Sequence, residues 1–218
     1  DSIVNLKNIS NLINGIYVYN STLDAENILI DGGGFLGDAI NVSNNSTLNI
    51  IDSTVENLAT SGGGSAVVAY NNSVVNADNV TIDGGSYGVT VFNNTDLDFQ
   101  HGVIKNMATS GVTAFDGGSY TSSFTRVRYS EISNNGNGFE FIMPVDIDII
   151  INSIHDNVFG ANNSDPTTDF NLSGNWWGDA SGPSHISNPG GVGDIVTDHI
   201  TFIPFLNTNP LNSTPTTY

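Results

Sequence analysis

Residues 64–85 read GSAVVAYNNSVVNADNVTIDGG, and the alternation within this stretch decides the fold. Val67 and Ala69 alternate with Val68 and Tyr70, and the turn Asn71-Asn72-Ser73 follows. A second short run carries Val75, Ala77 and Ile82 before Asp83-Gly84-Gly85 closes the unit. Apolar residues at every second position mark a strand with one buried face. The runs end in Asn-Asn-Ser/Thr turns, not in helical segments of ten or more residues.

Aligned on the small residue ahead of its first strand, the unit starts at Gly15, Ala39, Ala66, Gly88, Gly111, Gly138 and Gly160, with spacings of 22 to 27 residues. Self-similarity at such a period signals a solenoid, in which each repeat buries its apolar face only against its neighbours. The strands that follow each start include Ile16-Tyr17-Val18, Ile40-Asn41-Val42, Val67-Val68-Ala69, Val89-Thr90-Val91, Val112-Thr113-Ala114 and Phe139-Glu140-Phe141. Their outer members are apolar and point inward. The middle members Tyr17, Asn41, Val68, Thr90, Thr113 and Glu140 are expected to face outward.

Short turns between strands at this period fit a parallel β-helix, in which equivalent strands stack at about 4.8 Å. Asparagine at the turn has a mechanism: it tolerates the left-handed conformation, and its amide can bond from coil to coil. The expected column is Asn20, Asn44, Asn71, Asn93 and Asp116, with a second column of Tyr19, Ser43, Tyr70, Phe92, Phe115 and Ile142 beside it. Residues 1–14 read as the second half of a coil, with Ile9 at the place of Ile82 and no helix to cover the first rung. Such an open end is a template for association, to be met by upstream sequence or by another subunit.

Beyond residue 160 the pattern changes. Residues 175–194, NWWGDASGPSHISNPGGVGD, are too densely punctuated by Gly and Pro for regular structure. Residues 195–206 read as one more strand with apolar Ile195, Ile200, Phe202 and Phe205, and with Trp176 and Trp177 they would plug the last coil. The organisation is therefore β-helix coils over 1–160, a last coil and cap over 161–206 in the same domain, and an extended tail or linker over 207–218.

Composition narrows the partners. The 31 asparagines and 24 glycines disfavour helices. Carboxylates outnumber Lys and Arg by 22 to 4, and a formal charge of -18 argues against nucleic acid and anionic membrane surfaces. No apolar run reaches membrane-spanning length, and the absence of cysteine removes disulfides, thiolate metal sites and a Cys nucleophile. The chain opens inside a repeat, which reads as a mature or excised segment. Asn-x-Ser/Thr triplets occur at Asn8, Asn20, Asn41, Asn44, Asn45, Asn71, Asn79, Asn93, Asn162, Asn171 and Asn212. Chance in so Asn-, Ser- and Thr-rich a chain gives roughly six. They read either as a by-product of composition or as glycosylation sites of a secreted surface protein.

The stacked Gly-V-x-V-x-Asn coils resemble the right-handed parallel β-helix repeats of the pectin-lyase-like superfamily. The closing Asn175-Trp176-Trp177-Gly178-Asp179, Gly182-Pro183, Asn188-Pro189-Gly190-Gly191, Gly193-Asp194 and Phe202-Ile203-Pro204-Phe205-Leu206 is similar to the ending of many bacterial and archaeal surface β-helix proteins, with Phe205 where tryptophan is usual. The resemblance implies an all-β, right-handed parallel β-helix of about seven coils, placed extracellularly at the cell surface in a group mostly without assigned catalysis.

Candidate chemistry lies on the outer face of the second strand. Its aligned rungs are Asp24/Glu26, Asn49, Asn76/Asp78, Asp98/Gln100, Arg126/Arg128, Asp146/Asp148 and Asp169, with Ala25, Ile50, Ala77, Phe99, Val127 and Ile147 inward between them. Asp146 and Asp148 would stand about 7 Å apart on one face, within the window of an inverting glycosidase. Polysaccharide lyases that resemble this fold use Ca²⁺ with an Arg or Lys base, for which Arg126 and Arg128 are the candidates. The competing reading is a salt-bridge ladder that neutralises stacked acids. Asp179, Asp194 and Asp198 in Gly-rich loops are candidate Ca²⁺ ligands; otherwise no cofactor is expected. The four histidines are scattered and read as ordinary surface residues, and the aromatic column reads as an edge-shielding stack, a sugar shelf or a docking strip.

The functional expectation is a non-enzymatic structural or adhesive element of the cell envelope. It would assemble as a homo-oligomer or polymer through the open N-terminal coil and the C-terminal tail, with glycans as a further partner class. The alternative is a carbohydrate-active enzyme or glycan-binding module.

Overall fold

The computed structural model describes residues 2–12, 15–115 and 123–212. Their strands wind into a parallel β-solenoid of about seven turns, with no α-helix among the described residues. Each turn contributes to three faces. The first stacks Ile16–Tyr19, Ile40–Ser43, Ser65–Tyr70, the ends of Thr81–Phe92 and Val103–Phe115, Asn137–Phe141, Phe159–Asn163 and Gly193–Val196. The second stacks Ser2–Leu12, Ser21–Asp31, Thr47–Ile51, Val74–Asp78, Asp96–Gln100, Phe124–Arg128 and Asp146–Ile150. A short third face includes Thr54–Glu56, Glu131–Ser133 and Ser153–His155. Every ladder pairing between these strands is parallel and joins one coil to the next.

The alternation read from the sequence sets the interior. Ile40, Val67, Val89, Val112, Phe139, Ala161 and Val196 form one buried column, and Ile30, Val55, Ile82, Ile104, Ile132 and Ile154 another. The small residue that opens each unit has a steric cause: a Cβ on Gly88 would lie 2.4 Å from the Gly111 carbonyl oxygen, and one on Gly138 would lie 2.6 Å from that of Gly160.

Backbone conformation explains the asparagines. In the turns Asn44-Asn45, Asn71-Asn72 and Asn93-Asn94 all six residues are left-handed, with φ of 55–61°. This is the region that Asn enters most readily among residues bearing a Cβ. The next residue, Ser46 or Ser73, is buried and donates its hydroxyl to the carbonyl of Ser43 or Tyr70, at 2.6 and 2.8 Å. A second left-handed column runs through Asn8, Asn27, Asp52, Asn79, His101, Tyr129 and Ile151.

Four expectations are corrected. Arg126 pairs with Asp148 and Val127 with Ile149, so Ile149, not Ile147, continues the Ala77–Phe99–Val127 column. Ile9 pairs with Ile28, and after a register shift Leu12 stands opposite Ile30, the place in the coil that Ile82 takes. Of the middle members expected to face outward, Val68 and Thr113 are buried, whereas Tyr17 is exposed and Asn41, Thr90 and Glu140 are half-buried. Residues 195–206 are two short strands, Gly193–Val196 and Ile200–Thr201, in different sheets, split at a left-handed His199. Val196 and Ile200 are buried there and Ile195 is exposed. Asp116 lies outside the described residues.

Cap and coils meet over buried apolar side chains. Trp177, Phe170, Leu172 and Phe202 are buried, and the Phe170 ring stacks on Phe141 at 4.5 Å. Ser2–Leu12 pairs with Ser21–Asp31 alone among the described residues.

Candidate functional site

Of the four residues named for catalysis, three come together. Arg126 reaches Asp98 at 2.9 Å through Nη1 and Asp148 at 3.4 Å through Nε, and the Nη2 of Arg128 bonds the same Asp148 carboxylate. The Phe124 ring lies 5.0 Å beneath the Arg126 guanidinium. Hydrogen bonding to Asp98, with Asp148 adding to it, holds the Arg126 guanidinium above its ordinary value. The fourth residue, Asp146, stands opposite Phe124 and is exposed. Asp148 is thus the shared acceptor of two arginines, and Arg126 is a bridge spanning three coils.

This cluster is one case of a wider arrangement. On the second face Asn49 bonds Asp24 at 2.7 Å and Asn76 bonds Asn49 at 2.8 Å. In the turns Asn27 bonds Asn8, Asn79 bonds Asp52, and Asn106 bonds Asp83, all within 2.7 Å. A hollow of about 280 Å³ lined by Asn49, Ile51, Asn76, Ala77, Asp78, Asp98 and Gln100 borders these rows. Outward polar side chains here tie each coil to the next.

Asparagines inside the coil do the same in the buried interior, a feature that reading the sequence missed. The Asn157 Oδ1 accepts both the backbone N–H of Asn135 at 2.9 Å and its Nδ2 at 3.0 Å. Asn157 in turn donates its N–H and Nδ2 to Asp194 Oδ2 at 3.1 and 2.8 Å. Asn152 and Asn175 repeat the arrangement at 2.9 and 3.0 Å. The available signal is the separation of these pairs, 22 residues for Asn135–Asn157 and 23 for Asn152–Asn175, which matches the coil period.

Three members of the aromatic column stack; the fourth, Tyr19, stands apart, 67% exposed, with Ser43 between it and Tyr70. Tyr70, Phe92 and Phe115 lie face to face at 5.1 and 4.9 Å, with ring planes within 9° of parallel. The facing π-surfaces are spent on one another and all three rings are half-buried, which favours the edge-shielding reading for these three.

Three turn sequons receive a conformational explanation: Asn44, Asn71 and Asn93 are left-handed turn residues whose amides bond in series, and their Ser46, Ser73 and Thr95 hydroxyl residues are buried. Asn8, Asn20, Asn45, Asn79, Asn171 and Asn212 are exposed, and Asn41 and Asn162 are half-buried on the first face.

Three carboxylates suggested for Ca²⁺ turn to separate partners. Asp179 is held below its ordinary value by the hydroxyl and N–H of Ser181, Asp198 meets His185 at 3.2 Å, and Asp194 points inward to Asn157. Each histidine is within reach of a carboxylate: His101 of Asp78, His155 of Asp156, His185 of Asp198 and His199 of Asp169. Comparison of the chain with protein-family models, with curated proteins and with solved structures finds no match.

Proposed function

We propose that the chain is a structural element of an extracellular cell envelope, a stiff spacer or building block with no catalytic role. The observation that carries this reading is the use of polar side chains as rung-to-rung ties. The strongest catalytic candidate, Asp148, is the shared partner of Arg126 and Arg128, in the same manner as the asparagine rows around it. Ties repeated at every coil resist bending and stretching of the stack, which is the property a structural element needs. Self-assembly belongs to the proposal. The first rung, where Val4, Leu6, Ile16, Val18 and Leu23 line a hollow of about 220 Å³ and Tyr17 and Tyr19 are exposed, is the surface on which a copy would continue the stack.

Sedimentation velocity and electron microscopy across a wide concentration range test the assembly. Turnover on polyuronates and neutral polysaccharides, for wild type and Asp148→Asn, tests the chemistry. The expected result is concentration-dependent association with no turnover. A strictly monomeric chain that degrades a polysaccharide, and loses that activity in Asp148→Asn, would overturn the proposal.

A further inference from the structure

The interior seat filled by Asp194 is built for an amide. Asn135 and Asn157 occupy the equivalent seats of the two preceding coils. In each, the Oδ1 accepts a backbone N–H from the coil before, Met107 for Asn135 and Asn135 for Asn157. In each, the Nδ2 donates to a carbonyl of that preceding coil, Ile104 for Asn135 and Ile132 for Asn157. The third seat repeats the acceptor half: Asp194 Oδ2 takes the Asn157 N–H and Nδ2. By the pairing of Ile132 with Ile154, the donor half of this seat would be directed to the Ile154 carbonyl. A carboxylate has no proton to give there, whereas a neutral carboxylic acid has one.

We propose that Asp194 is a protonatable substitute for asparagine, and that its protonation in mildly acidic solution locks the C-terminal cap onto the last coil. The seat sits where cap and coil meet. The Asp194 N–H donates to the Trp177 carbonyl at 2.8 Å, and a Cβ on Gly160 would lie 2.8 Å from Asp194 Cβ and 3.0 Å from the Trp177 ring. Asp194 is 9% exposed, and the charged groups facing its carboxyl are His155 and Asp156 from the turn below. His155 is itself held by Asp156 at 2.7 Å and Glu131 at 3.6 Å.

Burial pushes Asp194 up from 3.8 to about 6, against the hydrogen bonds from Asn157. The folded-state value lies above the unfolded one. The stabilisation is therefore complete below the unfolded value and is lost as pH rises through the folded one. Between about pH 4.5 and about pH 7.5 the cap-opening equilibrium rises roughly twenty-five-fold.

Hydrogen exchange of the amides of residues 193–197, divided by their intrinsic rates, reads that equilibrium. Wild type should open more by this factor over the interval. Asp194→Asn, which supplies oxygen and donor at every pH, should stay flat at the level of acidic wild type. Carbon-13 titration of the Asp194 carboxyl in the unaltered chain gives a second readout, expected near 6. A pH-independent opening in wild type, a carboxyl titrating at its ordinary value, or an Asp194→Asn cap looser than acidic wild type would each overturn the proposal.

Discussion

Replacing Asn157 by alanine tests how the coils are held together. Asn157 lies within the coil, 8% exposed, and its Oδ1 is the partner of the Asn135 backbone N–H at 2.9 Å. Without it that N–H is buried and unpaired, at a cost of about 1–3 kcal/mol. The Ile132 carbonyl loses a bond of 2.9 Å and Asp194 loses one of its two donors, at roughly 0.5 kcal/mol or more apiece. The sum is about 2–4 kcal/mol. Asn157 lies outside the left-handed region, so alanine adds no backbone strain. The control is Asn71→Gly on the outside of the coil. Glycine keeps φ at 57° without strain and removes two long bonds, 3.4 Å to Asn44 and 3.5 Å from Asn93. It should fall within about 0.5 kcal/mol of wild type. Urea unfolding followed by circular dichroism, with unchanged slopes, measures both. If Asn157→Ala matches wild type, or the two variants cost the same, the interior amides are not the ties argued for here.

Two further predictions rest on backbone geometry. Gly88→Ala would set a methyl 2.4 Å from the Gly111 carbonyl and 2.6 Å from Ile104 Cγ2, costing about 2 kcal/mol or more in urea unfolding, whereas Gly190→Ala, with open space around it, should cost under about 0.5 kcal/mol. Ile151, a β-branched residue at φ 61° in a column otherwise of Asn, Asp, His and Tyr, carries strain. Ile151→Asn should raise the thermal midpoint by about 2–4 °C for about 1 kcal/mol relieved, and an unchanged or lower midpoint would count against it.

The coil itself was legible in the chain because its determinants are local. Strand alternation depends on neighbours two positions apart, and the Asn-Asn-Ser turn depends on the φ preference of each residue. Val67 and Asn71 mark the inward side and the turn, and recurrence of the unit every 22 to 27 residues gives the solenoid. The site was less legible. Arg126 and Asp148 lie 22 residues apart and Asp98 another 28 before Arg126, so their bridge depends on how many residues each intervening turn consumes. That same quantity placed Ile149 rather than Ile147 in the inward column.

The alphabet of the chain determined that this protein is a stack of β-coils with small residues at the start of each first strand and left-handed asparagines at the turns. What only the tertiary structure decided is which asparagines serve the turn and which serve the interior. Asn71 and Asn157 are the same residue at the same coil period, one at φ 57° near the surface and the other buried in the coil. The difference arises from the carbonyls and N–H groups of the coils before and after, partners that come within bonding distance only once the chain has closed its turn.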